Sequence, residues 1–132
     1  MNNYGISVWG LGNHALRRVI PAILMINFFT LVGVCSRSIK KVESCSEDNA
    51  CEGWTDPSKM LANKKIKILM IELMTVIKYE NDNLFNVYAN LLEQYGFVMI
   101  DLHQGYRNNA GIMTEFDAVF MEKNMLKDFL KS

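Results

Sequence analysis

Charge and cysteine are both scarce in this sequence of 132 residues, and proline occurs only twice. Charged residues make up 21% of the chain and their net charge is zero, so nothing in the overall charge attracts nucleic acid or an anionic membrane. The cysteines Cys35, Cys45 and Cys51 include no Cys-x-x-Cys pair and no histidine cluster, so we expect no metal site and a reduced, cytoplasmic protein. Half of the residues are apolar, which is typical of one globular domain with a buried core.

A long uninterrupted hydrophobic run is also missing. The most apolar stretch, residues 19–35, is shorter than the ~20 residues that a membrane-spanning helix needs, and it contains Pro21 and Asn27. A lipoprotein signal would require a small residue before Cys35, where the chain has Val34. We therefore expect no membrane insertion and interpret this stretch as the end of a buried helix followed by a buried strand.

Strand and helix patterns alternate in the first half of the chain. Residues 5–9 are apolar and β-prone, residues 13–25 have apolar side chains at helical spacing, and residues 28–34 predict a buried parallel strand. Asn13 is a candidate helix cap, whereas Pro21 predicts a kink or an early end of the helix. This order of strand, glycine turn, helix and strand is one βαβ unit.

The second half continues the alternation after a polar stretch. That stretch, residues 36–65, predicts the start of a second helix, then a loop, then a helical turn capped by Asp56 with Pro57 at its first position. The remaining patterns predict a strand over 65–74, a helix over 81–96, a strand over 97–102, an edge or antiparallel strand over 115–123 and a short terminal helix.

The turn after the first predicted strand reads Gly10-Leu11-Gly12-Asn13-His14-Ala15. In a βαβ unit with this spacing, the first glycine permits the tight turn and the second lets the backbone approach a pyrophosphate. The free N–H groups at the start of the helix then face the phosphate. We therefore predict that Gly10, Leu11, Gly12, Asn13 and His14 bind a cofactor. The alternative is a structural glycine turn that binds nothing.

The end of the second predicted strand indicates which dinucleotide the turn would take. Enzymes that prefer NAD usually place an acidic residue there, on the ribose 2′-hydroxyl. This chain instead has Ser36 and Arg37, with Lys40 and Lys41 beyond them. A hydroxyl and a guanidinium suit a 2′-phosphate, so we predict that Ser36 and Arg37 bind the cofactor and that NADP is preferred to NAD. A solvated basic helix start is the alternative.

Residues 4–64 resemble the N-terminal domain of the Gfo/Idh/MocA oxidoreductases. The similarity rests on "GISVWGLGNHALRRVIPAI", "FTLVGVCSRS" and "CEGWTDPSKML". It implies that the turn binds NAD(P), and that the Ser-Arg pair after the second strand matches members that take NADP. The Glu-Lys-Pro motif with the catalytic lysine of that family has no counterpart here, and its substrate domain is missing. We therefore assign no catalytic residue.

Residues 66–124 resemble the C-terminal part of FkbM-type methyltransferases. The similar segments are "IKILMIELMTVIKYENDNLFNVYANLLEQYGFVMIDL" and "NNAGIMTEFDAVFMEK". This similarity implies S-adenosylmethionine as an alternative cofactor, although no Asp-x-Gly-x-Gly pattern occurs in the chain. Residues 1–65 hold 8 basic and 5 acidic residues (+3), and residues 66–132 hold 6 and 9 (−3), so the charge changes sign near the same junction. A fusion, a truncation and a chimera are all consistent with these two similarities.

These patterns together predict an α/β protein. We expect one three-layer Rossmann-like domain over residues 1–132, with a mostly parallel sheet of about five strands and an antiparallel last strand. Its expected function is NAD(P) binding, with no partnership with nucleic acid or membrane, and self-association into a homo-oligomer left open. A methyltransferase remnant and a non-catalytic interaction module are the alternatives. For that module, Trp54, Tyr79 and Phe85 are the candidate exposed contacts.

Overall fold

The structure, a computed structural model, describes residues 3–77, 80 and 82–131. The chain divides into two compact units, which we call the first unit (Met1–Leu69) and the second unit (Met70–Ser132). Strands and helices alternate along the first unit, whereas two strands follow each other near the end of the second, as the sequence patterns predict.

Three parallel strands form the sheet of the first unit. They are β1 (Tyr4–Trp9), β2 (Phe29–Cys35) and β3 (Glu52–Trp54), with β2 paired to both of the others. The helices of this unit are α1 (Ile20–Leu24), α2 (Ile39–Asn49) and α3 (Pro57–Leu61). Asp56 caps α3 as predicted, because its side chain accepts a hydrogen bond from the N–H of Ser58 and Pro57 occupies the first helical turn.

The second unit ends in an antiparallel pair of strands. Its elements are β4 (Ile68–Met74), which begins in the last residues of the first unit, then α4 (Phe85–Gln94), β5 (Phe97–Gln104), β6 (Glu115–Glu122) and α5 (Lys123–Leu130). β5 and β6 pair from Phe97 with Glu122 to Gln104 with Phe116, with one bulge between Met99 and Asp101. On β6 the buried residues alternate with half-buried ones up to Phe120.

The six strands form one sheet in the order β3-β2-β1-β4-β6-β5. The predicted fold class, a mostly parallel α/β sheet whose last strand is antiparallel, is therefore confirmed. The sheet has six strands where about five were predicted, and the additional strand, Glu52–Trp54, lies in the polar stretch 36–65. Three residues that include an exposed glutamate and a glycine have no alternating pattern that would predict a strand.

The helical segment after β1 contains an irregular turn just before Pro21. Asn13 and His14 are already helical, so Asn13 lies inside the first turn and not before it. Ala15–Val19 then forms a π-helical turn, closed by a hydrogen bond from the N–H of Ile20 to the carbonyl oxygen of Ala15. Proline has no N–H and its ring collides with the carbonyl four residues earlier, so the widened turn accommodates Pro21.

The apolar stretch at residues 19–35 is divided between a helix and a strand. α1 ends at Leu24 and β2 begins at Phe29, which agrees with the interpretation as a helix followed by a strand. Within the described residues, no helix combines the length and the apolar character needed to cross a membrane. The predicted helix over 81–96 is found as Phe85–Gln94, and the first residue of that prediction, Asn81, lies outside the described residues.

Candidate functional site

The glycine turn and the Ser-Arg pair lie at the same edge of the first unit's sheet. Trp9, the last residue of β1, pairs with Cys35, the last residue of β2. The N–H of Gly10 donates to the carbonyl oxygen of Cys35 at 2.8 Å, and Ser36 follows directly. The predicted site segments are therefore brought together at the carboxyl ends of two parallel strands, where open α/β sheets bind their ligands.

Gly10 is a glycine that the backbone itself requires. Its φ is +104°, in a region that residues with a side chain rarely adopt. The next residue, Leu11, has a side chain only 3% exposed, so it faces the core. Only the backbone of Leu11 is therefore available to a ligand, whereas its side chain anchors the turn.

Gly12 differs from Gly10, because neither its φ angle nor the packing around it requires a glycine. Its φ lies outside the left-handed region, and a Cβ built on it would meet no heavy atom within 4 Å. Its carbonyl oxygen accepts a hydrogen bond from the N–H of Leu16 at 3.0 Å, which closes the first helical turn. The backbone at Gly12 thus borders open space, and no steric constraint within the protein requires a glycine there.

Asn13 and His14 lie exposed on the first helical turn after Gly12. No side chain caps the π-helical turn that follows His14. Both side chains are therefore at the surface beside the open space at Gly12, as the prediction for a ligand contact requires.

The start of α2 is organised around two serines. Ser38 caps the helix by accepting a hydrogen bond from the N–H of Lys41 at 3.3 Å. The Ser36 hydroxyl accepts a hydrogen bond from the N–H of Ser38 at 3.2 Å, which leaves its own hydrogen available to donate. Arg37 lies between them with an exposed side chain. The segment is thus held in place while Arg37 faces solvent.

Cys35 lies beneath this edge and is completely buried. Burial, with a smaller contribution from the charge of Asp56, raises the pKa of its thiol to about 11. A thiol with that pKa is protonated at neutral pH, so Cys35 cannot act as a thiolate nucleophile. Among the described residues, no group of three histidine, cysteine or acidic side chains could hold a metal ion.

The carboxyl end of β3 also lies at this edge, which the sequence analysis missed. Cys35 pairs with Trp54, and the N–H of Ser36 donates to the carbonyl oxygen of Trp54 at 3.2 Å. The Trp54 ring is half-buried and occupies the space that a Cβ on Gly33 would need. Trp54 is therefore a packing residue of the sheet and not the exposed contact considered for an interaction module. The helical turn after it, capped by Asp56 with Pro57 at its first position, was the only sequence signal for a nearby strand end.

Phe85, a second candidate contact of an interaction module, begins α4 of the second unit. Phe85 is 40% exposed and makes an edge-to-face contact with Phe116, with ring centroids 5.9 Å apart. Tyr79 lies outside the described residues.

No known protein-family model matches the chain. No curated protein matches it either. Solved structures do match. The 3-ketoreductase KijD10 from Actinomadura kijaniata, solved with NADP, is 16% identical with a TM-score of 0.57, over 72% of this chain and 28% of that one. A protein from Desulfitobacterium hafniense described as an NADPH-dependent oxidoreductase is 24% identical with a TM-score of 0.55, over 73% of this chain and 25% of that one.

These similarities show that the chain shares part of its fold with these two solved structures. It spans about a quarter of the length of the two solved structures. The two neighbours give no support to the resemblance between residues 66–124 and the FkbM-type methyltransferases, or to S-adenosylmethionine as the cofactor.

Proposed function

We propose that the first unit binds a dinucleotide, NADP in preference to NAD, at the carboxyl ends of β1 and β2. The observation that carries the proposal is the open backbone at Gly12, a glycine that neither backbone strain nor packing requires. A bound pyrophosphate would explain why residue 12 is a glycine, because the pyrophosphate needs to approach the main chain more closely than a side chain would allow.

In this proposal Gly10 and Gly12 have different roles in the turn. Gly10 reverses the chain after β1 with its positive φ, and Leu11 fixes the turn to the core. Gly12, Asn13 and His14 then present their backbone and exposed side chains to the diphosphate. The N–H groups of Gly12 and Asn13 precede the first helical hydrogen bonds, so they are available as donors to phosphate oxygens.

Arg37 and Ser36 are proposed to select NADP. Arg37 is exposed beside the end of β2, where its guanidinium can pair with the two charges of a 2′-phosphate. The Ser36 hydroxyl keeps a hydrogen to donate to the same group. Lys40 and Lys41 on the first turn of α2 add positive charge, and the described part of this edge has no carboxylate where an NAD-binding protein would place one.

The fold neighbours support this assignment, since one was solved with NADP and another is described as NADPH-dependent. The wider proposal is that the chain is an NADP-binding module resembling part of a Gfo/Idh/MocA oxidoreductase. We assign no catalytic residue to it, because Cys35 is a neutral, buried thiol and the lysine motif of that family is absent from the sequence.

The test of the binding site is the substitution Gly12→Val, followed by calorimetric titration with NADP. We expect affinity to fall by about tenfold or more, which corresponds to about 1.4 kcal/mol. The melting temperature should change little because the side chain enters open space. Gly12→Ala is the matched control for the fold, with a smaller loss of affinity. Unchanged affinity in a folded Gly12→Val protein, or tighter binding of S-adenosylmethionine than of NADP by the unmodified chain, would overturn the proposal.

Cofactor choice is tested by Arg37→Ala in the same titration. Loss of a charge-assisted hydrogen bond should weaken NADP by about 1–3 kcal/mol and leave NAD nearly unaffected. Lys64→Ala removes another exposed cation of the first unit and serves as the control for a general charge effect. Equal losses for NADP and NAD would show that Arg37 does not recognise the 2′-phosphate.

A further inference from the structure

β5 is the last strand in the sheet order, and it lacks the residues that usually prevent an edge strand from pairing with a strand of another chain. It is eight residues long, and its one neighbour in the strand order is β6. Exposed edge strands are usually protected by lysine or proline, and β5 contains neither. Three apolar side chains on this strand are substantially exposed: Met99, Ile100 and Leu102, at 36%, 41% and 48%.

The backbone at Leu102 identifies which residues face outward. Its N–H donates at 2.8 Å to Oδ1 of Asp101, the residue before it. In an antiparallel sheet the N–H and C=O groups of alternate residues face opposite edges. Leu102 therefore presents its main-chain groups to the open side of β5.

The polar side chains next to Leu102 on β5 would complement those of a second copy, since a histidine N–H can donate a hydrogen bond to an aspartate carboxylate. Asp101 and His103 flank it, with His103 Nε2 3.3 Å from Asp101 Oδ2, and both side chains are more than half exposed. If two copies of β5 pair antiparallel with Leu102 opposite Leu102, Asp101 of each copy lies opposite His103 of the other. Moving the two-fold axis to residue 101 would place two aspartate carboxylates opposite each other, which is unfavourable, and moving it to residue 103 would lose the aspartate–histidine pairing.

We propose that the chain self-associates through β5, which pairs antiparallel with β5 of a second copy about a two-fold axis at Leu102. In this arrangement the two Leu102 residues form a hydrogen-bonded pair. Each Leu102 N–H then releases the Asp101 carboxylate and donates instead to the carbonyl oxygen of Leu102 in the other copy. The contact is isologous, which is the symmetry of most homodimers. It is independent of nucleotide binding in the first unit.

The bulge in β5 sets the length of the paired segment. The register with β6 shifts between Met99 and Asp101, so the regular edge begins at Asp101 and continues to the end of the strand. Bulges bend a strand and disrupt its outer edge. Pairing is therefore centred on residues 101–103, with the exposed apolar side chains of Met99 and Ile100 flanking them.

Disulfide trapping tests both the contact and its register. Cα atoms of a hydrogen-bonded pair lie about 5.5 Å apart, within the roughly 4.4–6.8 Å that a disulfide spans. Leu102→Cys should therefore give a covalent dimer under mild oxidation. Met99→Cys is the matched control on the same strand: two such residues would be separated by six residues, about 20 Å. The unmodified chain, with its three native cysteines, controls for other thiols.

Oligomeric state is the second measurement. In sedimentation velocity experiments over a concentration series, the unmodified chain should show a monomer–dimer equilibrium that Leu102→Lys abolishes. Leu24→Lys, which changes an exposed leucine of the first unit, should leave it intact. Circular dichroism verifies that both variants fold. A chain that stays monomeric throughout, a dimer that survives Leu102→Lys, or a cross-link at Met99→Cys in place of Leu102→Cys would each overturn the proposal.

Discussion

The two units expose different kinds of surface, although both are built from strands and helices. Of the large apolar side chains that are exposed among the described residues, four belong to the first unit and twelve to the second. The first unit instead exposes a backbone turn and a short polar segment at the carboxyl ends of its parallel strands. This contrast suggests a small-molecule site in the first unit and a protein-contact surface in the second.

The difference follows from how each unit pairs its strands. Parallel strands leave their carboxyl ends together, so that the turns after β1 and β2 converge at one edge. The antiparallel pair in the second unit instead leaves β5 at the end of the strand order, with one side of the strand open. A crevice at strand ends suits a nucleotide, whereas an open strand suits another strand.

The largest expected effect that distinguishes the two units is the loss of stability in Phe120→Ala. Phe120 is 1% exposed on β6, so its truncation should lower the free energy of unfolding by about 3–5 kcal/mol. NADP affinity, corrected for the folded fraction, should remain within about twofold of the unmodified chain. Chemical denaturation and titration provide the two values. A specific loss of affinity in the folded protein would break the division of roles between the units.

A smaller effect is expected at alkaline pH and should arise from the first unit, which contains all three cysteines. The pKa of the Cys35 thiol rises from 9.0 to about 11 through burial, so between those values the unfolded chain loses this proton before the folded one does. Stability should therefore fall by about 2 kcal/mol between pH 9 and 11. The measurement is the difference in denaturation free energy between the unmodified chain and Cys35→Ala across that range. A constant difference would contradict it.

The two glycines of the turn should separate fold from binding within the first unit. Gly10→Ala places a Cβ on a residue with φ +104° and should cost roughly 1–2 kcal/mol. Gly12→Ala should change stability by less than about 0.5 kcal/mol, since its Cβ meets nothing within 4 Å. Thermal melts of both variants give the comparison. Equal destabilisation would mean that Gly12 is also a structural glycine.

The smallest effect concerns one buried hydroxyl from each unit. Ser7 Oγ in β1 is completely buried without a hydrogen-bond partner, whereas Thr114 Oγ1 donates to the carbonyl oxygen of Tyr106 at 3.4 Å. Ser7→Ala should therefore raise the free energy of unfolding by up to about 1 kcal/mol, and Thr114→Val should lower it by a similar amount. Urea denaturation of the pair measures both signs, and a loss of stability in Ser7→Ala would point to an ordered water at Ser7.

The sequence predicted the alternation of elements, the glycine turn and the capped helix after Asp56, because each has a local chemical signature. It did not predict β3, whose three residues are held by pairing with β2 more than by any pattern of their own. The position of β6 between β4 and β5 was also missed, since alternation of apolar residues indicates a strand but not its neighbours. Strand order depends on long-range contacts that no local pattern contains.

At the candidate site, too, local sequence patterns predicted less than the structure shows. The spacing of Gly10 and Gly12 predicted a turn, but only the structure distinguishes a glycine required by its φ from one that borders open space. Similarly, the sequence placed Leu11 among the ligand-binding residues, whereas burial directs its side chain to the core. The assignments of Asn13, His14, Ser36 and Arg37 to cofactor binding remain predictions.

The π-helical turn at Ala15–Val19 amounts to one extra residue carried between the glycine turn and Pro21. Each residue of an α-helix turns the chain by about 100°, since 3.6 residues complete a turn. Deleting a residue from a regular helix would therefore rotate everything that follows by that angle, whereas deleting one from this π-helical turn would restore regular winding and keep the following residues in phase. Ile20 and Ile23, which are buried, would then continue to face the core. The cost of the deletion would instead fall on Pro21, because its ring would meet the carbonyl four residues earlier in a regular helix.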